Sequence, residues 1–99
     1  MPYVILTSKP GQFRTEPGPG MRPVEGWDYF FCGRMRAHFL IAELDRPTKV
    51  RVVDEEGPIN PVPSKFLPSF ESLEAARAEL RSLVSFGSMP VELRPAAAA

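Results

Sequence analysis

Val24-Glu25-Gly26-Trp27-Asp28-Tyr29-Phe30-Phe31-Cys32-Gly33-Arg34-Met35-Arg36-Ala37-His38-Phe39-Leu40-Ile41-Ala42-Glu43-Leu44 is the stretch on which the fold turns. Two runs rich in aromatic and branched residues, Trp27 to Cys32 and Ala37 to Leu44, flank Gly33-Arg34-Met35-Arg36. That pattern predicts an antiparallel hairpin. A two-residue loop at Arg34-Met35 would pair Phe31 with His38, and a three-residue loop at Gly33-Arg34-Met35 would pair Cys32 with Arg36. Side chains alternate across a strand, so Trp27, Tyr29 and Phe31 share one face, and Asp28, Phe30 and Cys32 the other. In the second run Phe39 and Ile41 oppose His38, Leu40, Ala42 and Leu44. Both faces of the hairpin are therefore apolar.

Upstream, Tyr3-Val4-Ile5-Leu6-Thr7 reads as a strand stopped by Ser8-Lys9-Pro10-Gly11. From Pro10 to Pro23, four prolines and three glycines predict a loop or extended arm, tethered by Phe13 and Met21. Downstream, Asp45-Arg46-Pro47-Thr48 signals a turn, and Lys49-Val50-Arg51-Val52-Val53 alternates as the third strand of a meander before Asp54-Glu55-Glu56-Gly57. Pro58 to Pro68 reads as a second extended arm carrying Ile59, Val62, Phe66 and Leu67. Ser72 is a good N-cap for a helix expected to run from Leu73 to about Phe86, with Leu73, Ala76, Leu80 and Leu83 facing the sheet and Gly87 as its stop. Glu74 stands in the first turn, where the helix dipole favours an acid. Pro90 to Arg94 adds a short strand, and Ala96–Ala99 is a low-complexity tail, leaving residues 1–95 as one domain.

Composition narrows the function classes. Ninety-nine residues of net charge zero, 43% hydrophobic, with one cysteine, describe one small domain with a modest core and no internal disulfide. The balanced charge argues against a general nucleic-acid or acidic-membrane field, and no run reaches the roughly 20 apolar residues of a membrane span. The first residues lack the basic and apolar regions of a signal peptide, so the expected location is the cytoplasm.

The residues that carry chemistry are few. Cys32 and His38, the sole histidine, are the only pair resembling a nucleophile and its base, and only the three-residue loop would bring them to one face. The competing reading makes Cys32 a buried, unreactive core residue, as unpaired cysteines usually are. One Cys, one His and scattered acids show no metal-ligand spacing, and no metal or cofactor is expected. Gly18-Pro19-Gly20 leads to Pro23 instead of a helix, so it makes no phosphate cradle. Arg34, Arg36, Arg46, Lys49 and Arg51 near Tyr29, Phe30 and Phe31 suggest stacked single-stranded RNA, but they fall at opposite ends of the sheet and the reading is disfavoured.

Coverage is the stronger clue. A single helix about 10 Å across cannot cover both faces of a sheet whose strands span roughly 15–19 Å. The sequence thus predicts an α+β domain, with an antiparallel meander-based sheet of four to five strands, one C-terminal helix on one face and two proline-rich extended arms. The second apolar face awaits the arms, a second copy or another protein. The leading expectation is a non-catalytic accessory subunit that docks on a larger protein or on itself through Trp27, Tyr29, Phe30, Phe31, Phe39 and Leu40. The alternative is a small-ligand-binding or sensing domain with a pocket lined by Trp27, Tyr29, Cys32 and Phe39. Enzyme activity ranks below both.

Overall fold

The chain, described by a computed structural model over residues 2–83 and 91–96, forms two antiparallel sheets and one helix. In order, the strands are β1 (Tyr3–Ser8), β2 (Phe13–Glu16), β3 (Met21–Phe31), β4 (Arg34–Leu44), β5 (Lys49–Asp54), β6 (Ile59–Pro63), β7 (Ser69–Phe70) and β8 (Val91–Ala96). A 3-10 turn at Ser64–Phe66 precedes β7, and the helix α1 (Leu73–Leu83) follows it. The first sheet runs β7-β1-β4-β3-β8 and the second β2-β5-β6. Among the described residues no helix is long and apolar enough to cross a membrane.

The expected hairpin is β3–β4, but its turn lies at Cys32-Gly33, with Phe31 paired to Arg34. Both turn residues have positive φ, 52° at Cys32 and 79° at Gly33. A two-residue turn that matches the twist of its strands requires this. Gly33 meets that demand without a Cβ. A register shift between Tyr29 and Phe30 leaves Arg36 as the extra residue, so Tyr29 faces Ala37 and Phe30 faces Met35. Cys32 is consequently exposed at the turn, not buried in the core.

The meander ends sooner than expected. β1, not β5, takes the place beside β4, with Ile5 opposite Ile41. Val4, Ile5 and Leu6 are all buried, which suits a strand covered on both faces. β5 carries exposed Lys49 and Arg51 around a fully buried Val50, a pattern suited to a sheet with one solvent face. It pairs with β2 and β6 instead.

Nor are the proline-rich segments free arms. They supply β2, the start of β3 and β6, because the prolines in these strands fall where no ladder N–H is needed. Pro23 lies beside a bulge on the part of β3 that β8, starting its pairing at Gly26, leaves as an edge. β6 is the edge of the second sheet. The Asp54 N–H donates to Pro58 O and the Ser64 N–H to Thr48 O, so the even-numbered residues of β6 bond to β5. The backbones of Ile59, Pro61 and Pro63 therefore turn outward. Gly18 is required by contact: a Cβ there would collide with the carbonyl oxygen of Lys49.

The first sheet is a shared floor for two cores. On one face Ile5, Ala37, Phe39 and Ile41 pack against Ala76 and Leu80 of α1, with Trp27, Tyr29, Leu73 and Leu93 around them. On the other face Val4, Leu6, Leu40 and Ala42 pack against Val50, with Met21, Leu44, Val62 and Leu67 at the margin. The second apolar face is thus covered by the chain's own second sheet. Met21, Val62 and Leu67 contribute to that cover, whereas Ile59 and Phe66 remain exposed. The α1 N-terminus is capped as expected, with the Ala75 N–H donating to Ser72 Oγ at 3.1 Å. Leu83, expected to face the sheet, is exposed, and the helical residues expected beyond it, with the Gly87 stop, lie outside the described residues. So do Pro90 and 97–99, while Ala96 closes β8.

Candidate functional site

A cleft on the helix face follows from the arithmetic of widths. Five strands about 4.8 Å apart place the outer strands roughly 19 Å from each other, nearly twice the diameter of one helix. Among the described residues, α1 packs over β1 and β7 and the β3–β8 half of this face is less covered. A cleft of about 240 Å³ opens there, lined by Trp27 and Leu93 from the strands and by Arg77, Leu80 and Arg81 from the helix.

Each wall has a local cause. Glu25 and Trp27 are two apart on β3 and project to the same face, where Trp27 Nε1–H donates to Glu25 Oε1 at 2.6 Å. That bond fixes the indole as a wall. Arg77 grips the same carboxylate in a bidentate fork, donating from Nε at 2.9 Å and from Nη2 at 2.5 Å. Its Nη1 donates to Glu74 at 2.5 Å, one helical turn back. The Arg77 guanidinium holds the Glu25 carboxyl below its ordinary range; partial burial opposes this and the Trp27 N–H reinforces it. Glu25 and Glu74 in turn raise Arg77 above its already high value. Arg81, one turn further along α1, has no acidic partner among the described residues. The cleft thus combines an apolar floor, a clamped aromatic wall, one compensated guanidinium and one uncompensated guanidinium.

The residues singled out in the sequence are dispersed. Trp27 lines the cleft. Tyr29 and Phe39 belong to the core beneath the same face, and Leu40 belongs to the opposite core. Phe30 and Phe31 sit half-buried at the far end of the hairpin. The Arg94 guanidinium lies 4.3 Å from the Phe30 ring centre, and that of Arg36 lies 6.0 Å from the Phe31 ring centre. Both contacts fall within the reach of a cation–π attraction. Cys32 stands apart at the turn. The six aromatic and leucine positions therefore do not make one continuous patch.

The Cys32–His38 couple does not form. His38 pairs with Asp28 directly across the hairpin, Nδ1 to Oδ1 at 2.8 Å. Cys32 follows Asp28 by four residues, which is about 13 Å along an extended strand. Ser8, opposite His38 on the other side, and Arg94, opposite Asp28, complete a cross-strand row. The Asp28 contact leaves Nε2 as the imidazole's other hydrogen-bonding atom. Ser8 Oγ accepts the Thr15 N–H, and no hydrogen bond joins Ser8 to His38 among the described residues, so the row is not a nucleophile–base pair. Among the described residues no cluster of three His, Cys, Asp or Glu is placed to hold a metal ion.

A second, wider cleft of about 320 Å³ lies at one end of the paired sheets, among Pro2, Val4, Leu44, Pro47 and Leu67. Of its polar groups, Ser64 Oγ accepts the Thr48 N–H, Arg46 reaches Asp45, and the Lys65 ammonium lies 5.3 Å from the Phe66 ring centre. Neither cleft is lined by Cys32.

Glu25, Arg77, Arg81 and Leu93 were not distinguished by sequence pattern. The available signal was that Arg77 and Arg81 border Leu80 on the helix, three before it and one after, at the margin of the apolar stripe. No protein-family model, curated protein or solved structure matches this chain, so the site is read from its geometry.

Proposed function

We propose that the protein is a non-catalytic module that binds a small ligand in the cleft between α1 and the β3–β8 strands. One observation carries the reading: Trp27, which core packing alone would leave free to bury its whole indole, is tied by Nε1 to an Arg77-clamped carboxylate and presents a wall to a cavity of about 240 Å³. Fixed walls reduce the ordering cost of binding. The volume lies below the roughly 300–1,000 Å³ common for drug-sized ligands, so the fitting ligand is smaller than these. The cover of the second sheet face by β2, β5 and β6 supports this reading over docking, because it removes the surplus apolar surface from which docking was argued.

Trp27 is the sole tryptophan, so its emission reports on the cleft alone. Titration with small aromatic probes should quench it saturably, with amide shifts concentrated at Leu93 and Leu80. Linear quenching matching that of free tryptophan amide would sink the proposal. A second reading, docking on a larger protein, keeps support from the hairpin end, where Phe30 and Phe31 are half-buried beneath arginines and Met35 is exposed.

A further inference from the structure

Resting on the ligand-binding reading above, we infer the chemical class of the ligand: a one- or two-ring aromatic monocarboxylate, its ring against Trp27, Leu80 and Leu93 and its carboxylate on Arg81. Three observations converge on it.

The first is how the charges in the cleft are partnered. Two arginines line it, and Glu25 and Glu74 are both bound to Arg77. Arg81 has no acid within ion-pair distance among the described residues. An anion seated at Arg81 supplies the missing partner.

The second is valence. One uncompensated guanidinium matches one carboxylate, whose two oxygens fit its planar fork. A phosphate dianion asks for more positive charge than the cleft leaves uncommitted. The third is the body of the ligand. The indole of Trp27 offers a flat face held in place by its bond to Glu25, and Leu80 and Leu93 close the floor. Flat apolar rings gain most from such a wall, by offset stacking and by excluding water.

The matched probes are 1-naphthoate and its neutral isostere 1-naphthamide, read by Trp27 emission on the full chain. Naphthoate should bind at least about tenfold tighter, the ratio of one charge-assisted hydrogen bond of about 1.4 kcal/mol. Arg81→Met should erase that ratio by weakening naphthoate far more than naphthamide, with the melting transition retained, since Arg81 is exposed and has no acidic partner among the described residues. Arg81→Lys should restore part of the ratio. Equal binding of the two probes to the natural chain would overturn the carboxylate assignment and leave the cleft as a binding site. A preference that survives Arg81→Met would overturn the role of Arg81. Tighter binding of 1-naphthyl phosphate than of naphthoate would overturn the monoanion. Absence of saturable quenching by either naphthyl probe would remove the ligand-binding reading itself, and this inference with it.

Discussion

At Cys32 the backbone takes a left-handed conformation, with φ at 52°. Such a conformation costs a side chain with a Cβ about 1–2 kcal/mol. Asparagine tolerates it better and is favoured before glycine in this turn. Cys32→Asn should therefore stabilise the chain by about 1 kcal/mol, raising the melting temperature by about 4–8 °C for a domain of this size. In the unmutated protein the exposed thiol should react with an alkylating reagent without denaturant, at a rate close to that of the unfolded chain. Strong protection in the native state would contradict the exposed turn. The hairpin was legible from its two apolar runs, whereas the turn position was not. Gly33 marks the turn, but what places it second is the positive φ imposed on Cys32, and cysteine carries no preference for that region. The same displacement separates Cys32 from His38 and pairs His38 with Asp28.

Among the elements, α1 is held to β3 by the fork between Arg77 and Glu25 as well as by Ala76 and Leu80. The Glu25 carboxyl is depressed below its ordinary 4.5, so the stability it contributes is fully present above that value and is lost as pH falls through the lower folded-state value. Glu25→Gln should cost about 1.5–3 kcal/mol at about pH 7, the range for hydrogen bonds to charged groups. The gap between mutant and natural chain should narrow as pH falls below the ordinary carboxylate range, through the lowered folded-state value. Urea midpoints at neutral pH and at about pH 3 check this, and a gap unchanged in acid would mean that the charge of Glu25 contributes nothing to the fork. The helix itself was legible from Ser72 and the spacing of Leu73, Ala76 and Leu80. Its partner on β3 was not, since Glu25 and Arg77 are fifty-two residues apart and only the fold makes them neighbours. The second sheet was hidden for a related reason. Prolines argue against interior strands, and β6 and the first part of β3 escape that rule by lying at edges, which no local pattern reveals.

On the scale of the molecule, the two cores share β1 and β4 as a common floor. Phe39 and Leu40, adjacent in sequence, point into opposite cores and are each more than nine-tenths buried. Phe39→Ala should cost about 3–5 kcal/mol and Leu40→Ala about 2–5 kcal/mol. Both variants should melt in one transition, because neither core can open without the strands that floor the other. Separate transitions, or a Leu40→Ala cost below about 0.5 kcal/mol, would show the second sheet to be loosely attached. The outward backbone of β6 has a consequence of another kind. Of Ile59, Pro61 and Pro63, two have no N–H to offer. A strand from a neighbouring molecule, laid along that border, would find carbonyls to donate to but a single donor to accept from, too little to hold its register. Crowded solutions therefore gain no template for fibre growth along this border, and the prolines that disguised the strand in the sequence act as a barrier to polymerisation.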